Sequence, residues 1–208
     1  MTLPKASRAS ATAADGKKRP LIIKIGKRLR GTMNRISMAQ SKIPTKPVLQ
    51  PSSFHWTEDL ADNWQTIAQE AAAILRYRDA VPPLKDISPD HARIAGDGNW
   101  RSFFLIGYGY EVQENCARAP VTAELMRKIP DLNSAFFSIL EPGANIPRHR
   151  GVTRGLVTCH LGLIIPDRPE KCVMQVEDID LFWEAGKWLI FDDSNFHEVH
   201  NGTDQRRV

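Results

Sequence analysis

The chain has 208 residues, with 28 Lys/Arg against 24 Asp/Glu and three cysteines, which bounds it to one domain plus a tail, with a core large enough to stand without cross-links. The sparse Cys116, Cys159 and Cys172 exclude a disulfide framework and a CxxC zinc site; they read as free, mostly buried thiols of a reducing compartment, and a Cys159–Cys172 bridge has no support. Residues 1–50 hold 12 Lys/Arg and a single acid, a net +11, while residues 51–208 carry −7; the high pI therefore belongs to the tail and gives no ground for nucleic-acid binding.

Residues 1–20, rich in Ala, Ser, Thr and Lys, read as disordered. In residues 21–38, Ile22, Ile25, Leu29, Met33 and Ile36 recur at helical spacing, with Lys24, Lys27, Arg28, Arg30 and Arg35 between them. This basic amphipathic stretch suits peripheral contact with an anionic membrane, although Gly26 and Gly31 weaken the helix and no Trp or Phe anchors it. The alternatives are a loosely ordered tail and a helix packed on its own domain. No apolar run has the ~20 residues of a membrane span, and the N-terminus lacks the apolar core of a secretory signal. The expected location is cytoplasmic, peripheral at the inner face of a membrane. Pro44, Pro47 and Pro51 mark residues 42–53 as a linker, which divides the chain into a basic tail (1–50) and a domain (51–208).

Thr57 is the expected N-cap of one helix running from Glu58 to about Arg78, with Leu60, Trp64, Ile67, Ala71, Ile74 and Leu75 as its core stripe. Pro82-Pro83 ends it. A polar loop then leads to a strand over Ser102–Tyr108, and Pro120 opens a short helix over 120–128. From Asn133 the chain is β-rich, with strands over Ala135–Leu140, Leu156–Ile165, Cys172–Glu177, Trp188–Asp192 and His197–Asn201. Short, regularly spaced strands predict a mainly β fold, a double-stranded β-helix (jelly roll, cupin-like) with flanking N-terminal helices.

Two histidines stand in distinctive frames: His149 in Pro147-Arg148-His149-Arg150-Gly151, and His197 in Phe191-Asp192-Asp193-Ser194-Asn195-Phe196-His197-Glu198-Val199, with Arg207 ten residues later. Two imidazoles on separate strands and a downstream guanidinium suit a non-haem iron centre with an anchored carboxylate co-substrate. A facial triad usually takes its carboxylate two residues after the first histidine, and here that residue is Gly151. His55, His91 and His200 read as structural. Asp192 and Asp193 read as shaping the turn before His197 or as hydrogen-bonding a ligand imidazole, and Arg206 as pointing away from Arg207. There is no nucleophile elbow and no phosphate-binding loop.

Residues 99–208 resemble the aspartyl/asparaginyl β-hydroxylase family of Fe(II)/2-oxoglutarate dioxygenases. The resemblance lies in Asn99-Trp100-Arg101-Ser102-Phe103, Pro120-Val121-Thr122, Phe137 through Gly143, Pro147 through Gly151, His160-Leu161-Gly162-Leu163, Trp183 through Lys187, Phe191 through Val199, Asn201 and Arg207. It implies that His149 and His197 bind Fe(II), that Arg207 pairs with the distal carboxylate of 2-oxoglutarate, and that Ser138 and His160 help hold this co-substrate. Thr158 stands where some members carry a second carboxylate-binding arginine; Arg154 is the available substitute. Vertebrate members share the glycine at position 151, whereas lipid A hydroxylase relatives have aspartate. The expected reaction is hydroxylation of an Asp/Asn-type side chain in a peptide or small molecule. The alternatives are hydroxylation of a lipid acyl chain, halogenation at the position Gly151 vacates, and a binding module that has lost turnover. The family continues into a further strand after the arginine, so Arg207 is expected on a frayed terminus of a truncated domain.

Overall fold

A computed structural model describes residues 21–41, 43–77, 81–88, 91, 93–96, 98–151 and 153–208. The expectation of disorder for residues 1–20 lies outside these. Helix α1 spans Leu21–Ala39, one residue beyond the stretch read from the sequence. The proline-rich linker is not featureless: Val48–Leu49 forms β1. The single helix expected after Thr57 is two, α2 (Thr57–Asp62) and α3 (Trp64–Leu75). The break falls at Asn63, whose side-chain amide donates to Asp59 O at 2.8 Å, a local hydrogen bond that competes with helix continuation. Thr57 is not an N-cap. It starts the helix, and its hydroxyl donates to Phe54 O at 2.7 Å.

The remaining elements are α4 (Leu84–Ile87), β2 (Trp100–Gly107), β3 (Tyr110–Glu111), α5 (Gln113–Arg118), α6 (Pro120–Arg127), β4 (Ala135–Leu140), β5 (Asn145–His149), β6 (Thr158–Leu161), β7 (Cys172–Val176), β8 (Ile179–Phe182), β9 (Trp188–Phe191) and β10 (His197–Asn201). The strands build three antiparallel sheets, in the orders β1-β9-β6, β5-β10-β7-β8 and β3-β2-β4. The architecture is mainly antiparallel sheet, with its α-helices before β2 and between β3 and β4.

The strand expected over Leu156–Ile165 is shorter, because Leu163 and Ile164 leave β9 and donate instead to Val208 O at 3.0 and 3.2 Å. Strand β5 escapes a sequence reading because Pro147 sits inside it, a position tolerated at a sheet edge.

Two apolar clusters form the core. One joins α2, α3 and α6 to the β2/β4 sheet through Leu60, Ile67, Ile74, Phe103, Leu105 and Ile139. The other lies between the two C-terminal sheets and contains Ile146, Met174, Val176, Trp183, Phe191 and Val199. All three cysteines are free.

The end of the chain is not frayed. Arg207 and Leu140 exchange both backbone hydrogen bonds at 2.9 Å, Val208 N donates to Ile164 O at 2.9 Å, and both residues are only 4% exposed. This pairing carries the Arg207 side chain into the second apolar cluster.

Candidate active site

His149 closes β5 and His197 opens β10, and the two face each other as cross-strand partners. The register shifts by one residue between His197 and Val199, a bulge of the kind that re-aims a side chain beside a site. The ring centroids are 4.2 Å apart. His149 Nδ1 donates to Pro147 O at 2.8 Å, and His197 Nδ1 donates to Asn195 O at 3.0 Å. A carbonyl can only accept, so each proton sits on Nδ1 and each Nε2 keeps its lone pair, the tautomer a metal ligand needs. Burial lowers the basicity of both rings, that of His197 to about 4 with the charge of His149 adding to the effect, while His91 and Arg93 act the same way on His149.

The Asp193 carboxylate covers Gly151, the residue two positions after His149. A Cβ on Gly151 would meet the Asp193 carboxylate oxygens at 2.5 Å, and Gly151 N donates to Asp193 O at 2.7 Å. Asp193 Oδ1 is buried without a hydrogen-bond partner. Burial, with Asp192 alongside, raises its acid to about 6. Among the described residues no three His, Cys, Asp or Glu side chains converge as a ready metal site.

Deeper in, a ring stack leads from the histidine pair to Arg207. Phe191 lies edge-on to His197 at 5.0 Å and to His160 at 5.6 Å, and His160 stacks on Trp183 at 6.0 Å. Trp183 Nε1 donates to His160 Nδ1 at 3.3 Å. The Arg207 guanidinium lies 4.1 Å from the centre of the Trp183 ring, a desolvated cation–π contact. Its Nε has no hydrogen-bond partner. Burial lowers its pKa to about 10, which leaves it cationic at neutral pH, and pushes His160 down to about 3, which leaves it neutral. Ser138 stands on β4 and accepts from Trp100 Nε1 at 3.0 Å.

The architecture thus joins His149 to His197, and His160 to Arg207, through one ring system, while Ser138 bonds to Trp100, which lies edge-on to His91 at 5.9 Å. Residues 61–208 match the family model described as aspartyl/asparaginyl beta-hydroxylase. The chain belongs to the aspartyl/asparaginyl beta-hydroxylase family. It is 36% identical over 173 residues to an ornithine lipid ester-linked acyl 2-hydroxylase of Rhizobium tropici, covering 83% of this chain and 62% of that protein. It is 32% identical over 165 residues to human aspartyl/asparaginyl beta-hydroxylase, covering 76% of this chain and 21% of that protein. Human aspartate beta-hydroxylase domain-containing protein 2 is 34% identical over 169 residues, with 77% and 44% covered. The chain therefore spans less than two thirds of the length of these relatives. A Pseudomonas putida prolyl-4-hydroxylase structure superimposes with a TM-score of 0.41 at 17% identity, covering 73% of this chain and 94% of that one, a likeness too low to carry an argument.

Of the two roles expected for Asp192 and Asp193, the structure shows the turn and not the imidazole: main-chain carbonyls hold both histidine rings. Asp192 does shape the turn, accepting from Ser194 N at 2.9 Å. The Arg154 guanidinium donates to Met38 Sδ at 3.0 Å. Arg206 points away from Arg207 as expected and pairs with Glu141 at 3.4 Å. His200 is exposed, and His91 is held by Ser88 Oγ at 2.7 Å. The sequence reading missed Trp183 and Phe191 as walls of the site. Both lay within quoted motifs, but only their aromatic character hinted at a role.

The Gly151–Asp193 contact makes a counter-intuitive prediction. Installing the missing acid as Gly151→Asp does not improve the site: the new Cβ collides with Asp193, and activity falls at least ~10-fold. Adding Asp193→Gly to that variant clears the space and recovers most of the loss. Steady-state turnover of the single and double variants checks this, and no gain from the second change refutes it.

The histidines also set an acid limit. Neutral His197 and His160 bind fewer protons when folded than when unfolded between the ordinary imidazole pKa of about 6.5 and their own values of about 4 and about 3. Their contribution is thus full above about pH 6.5 and is lost as pH falls through this window. Asp193, whose acid is raised, acts oppositely: its penalty is absent in strong acid and complete above about pH 6. Melting of metal-free protein should fall from pH 6.5 to 4, and His160→Gln should flatten that slope. An unchanged slope would contradict the assignment.

Proposed function

We propose that this hydroxylase-family enzyme is an Fe(II)/2-oxoglutarate-dependent dioxygenase with His149 and His197 as the metal ligands, on a jelly-roll framework. The observation that carries this reading is the pair of Nδ1-anchored imidazoles with free Nε2 atoms 4.2 Å apart by ring centroid. The residues fit the absent groups. Nε2 donors suit Fe(II), and the buried, unpaired Arg207 Nε suits a carboxylate of the co-substrate.

When bound, Fe(II) and 2-oxoglutarate supply the oxidising chemistry: one oxygen atom of O2 enters a substrate C–H bond as hydroxyl, the other leaves in succinate, and CO2 is released. The protein's share is orientation and exclusion of water. Pro147 O and Asn195 O fix the two imidazoles. Arg207 grips the distal carboxylate, with Trp183 holding the guanidinium plane. Ser138 and neutral His160 complete the co-substrate pocket. Phe191 packs between His197 and His160 on the inner side of the site, and Asp193 places negative charge beside Gly151.

For the substrate, the reading that fits best is a lipid acyl chain. Its support is the outward apolar stripe of α1 (Leu29 54%, Met33 61% and Ile36 49% exposed), together with the resemblance to the ornithine lipid hydroxylase. An Asp/Asn-type side chain is the second reading, favoured by the glycine at 151 and the similarity to the human enzyme. Incubation with ornithine lipid or with an Asp/Asn peptide, followed by mass analysis, separates them. A lipid product one oxygen atom heavier in its acyl chain supports the first reading; oxygen gained only by the peptide overturns it.

A further inference from the structure

Helix α1 turns an apolar stripe away from the domain. Among its described side chains, Asn34 Oδ1 accepts from Arg154 N at 3.3 Å, and Met38, 37% exposed, accepts at Sδ from the Arg154 guanidinium. At about 100° per residue these two positions lie about 40° apart, on the side that meets the Arg154 segment. Leu29, Met33 and Ile36 lie within about 60° of one another on the far side, roughly 150° around the helix. They are 54%, 61% and 49% exposed. Helix α3 has the ordinary order, with Ile67, Ala71 and Ile74 all buried against the domain.

The charge is one-sided as well. Residues 21–39 contain Lys24, Lys27, Arg28, Arg30 and Arg35 and no acidic residue, although the rest of the chain from residue 51 is net negative. An apolar stripe on a purely cationic helix matches an anionic lipid surface, which accepts apolar side chains beneath a layer of negative headgroups. No helix among the described residues is long and apolar enough to cross a membrane, so the fit is to lying in the interface. Arg154 belongs to the segment that leads out of His149 and Gly151, and Leu156 beside it is 44% exposed.

We propose that α1 is an interfacial anchor for anionic bilayers, and that its attachment to Arg154 ties the segment leaving the histidine site to the membrane surface. This deepens the acyl-chain reading, on which its purpose rests, but the docking itself is measurable without turnover.

The test is co-sedimentation of the full chain with phosphatidylcholine vesicles, with and without phosphatidylglycerol, in the absence of iron and 2-oxoglutarate. The expected result is binding only to the anionic vesicles, weakened at least ~10-fold by Leu29→Ser/Met33→Ser/Ile36→Ser, which removes the apolar stripe and leaves every charge in place. Circular dichroism of the variant should match wild type. A wild type that ignores anionic vesicles, or a triple variant that binds as tightly, overturns the proposal; in the second case the attraction is charge alone. An acidic protein partner in place of lipid would appear as the first of these. Docking with oxygen transfer only to peptide keeps this inference and rejects the acyl-chain reading. Oxygen transfer to a detergent-dispersed acyl chain by a protein that does not dock does the reverse.

Discussion

His197→Ala and His149→Ala each abolish tight Fe(II) binding and lower 2-oxoglutarate turnover by more than ~100-fold, the loss expected for removal of a ligand rather than of a group supporting one. On the proposed reading the two histidines are the ligands, and with no third convergent donor among the described residues neither loss can be shared by the rest of the site. The prediction distinguishes ligation from packing. His197 is 7% exposed and touches Phe191 and His149, so its removal also leaves a small cavity costing about 1–3 kcal/mol of stability. Anaerobic titration with Fe(II) reads ligation directly, and thermal melts with and without metal read packing. Wild type should gain melting temperature on metal addition, because the metal binds the native state; the variants should show little gain at any concentration that saturates wild type. Equal metal affinity in wild type and His197→Ala would remove this residue from the site.

Arg207→Met should raise the half-saturating 2-oxoglutarate concentration by at least ~30-fold while leaving the metal-free protein as stable as wild type or more so. A charge-assisted hydrogen bond contributes about 1.5–3 kcal/mol, and a guanidinium can make two in parallel to one carboxylate. Without the co-substrate that guanidinium is a liability: it is buried at 4% exposure with Nε unpaired, and replacing a buried, incompletely paired charge by an apolar side chain of similar length is often neutral or stabilising. Methionine also keeps a contact with the Trp183 ring. The backbone pairing of Arg207 with Leu140 does not involve the side chain, so the strand end stays in place. Co-substrate kinetics and a melt of the same variant are the two readings. A large loss of stability with unchanged co-substrate affinity would make Arg207 a structural residue.

How much of this was legible in the sequence depends on how local each feature is. Strands β4 and β10 fell within their expected bounds because short runs bounded by turn residues specify them locally. The histidine frames were legible for the same reason, since each is a few contiguous residues. Strand β5 was hidden by Pro147, which reads as a breaker and is tolerated only because β5 lies at a sheet edge. The division of one expected helix into α2 and α3 depended on a single Asn63 side-chain bond. The Asp193 carboxylate over Gly151 and the Arg207 guanidinium under Trp183 depend on how distant segments close on each other, which periodicity does not encode. The same holds for the last two residues. A chain end reads as frayed by default, whereas here Leu140 and Ile164 supply its backbone partners. The outward stripe of α1 was legible as amphipathicity, but which face met the domain was not.

The most direct test of the central claim is succinate release from 2-oxoglutarate by the Fe(II)-loaded protein on exposure to O2, measured alongside oxygen incorporated into added ornithine lipid or Asp/Asn peptide. The account predicts one succinate per hydroxyl introduced, with both lost in His149→Ala and His197→Ala. Hydroxylated product without succinate, or undiminished succinate from the two histidine variants, would contradict it.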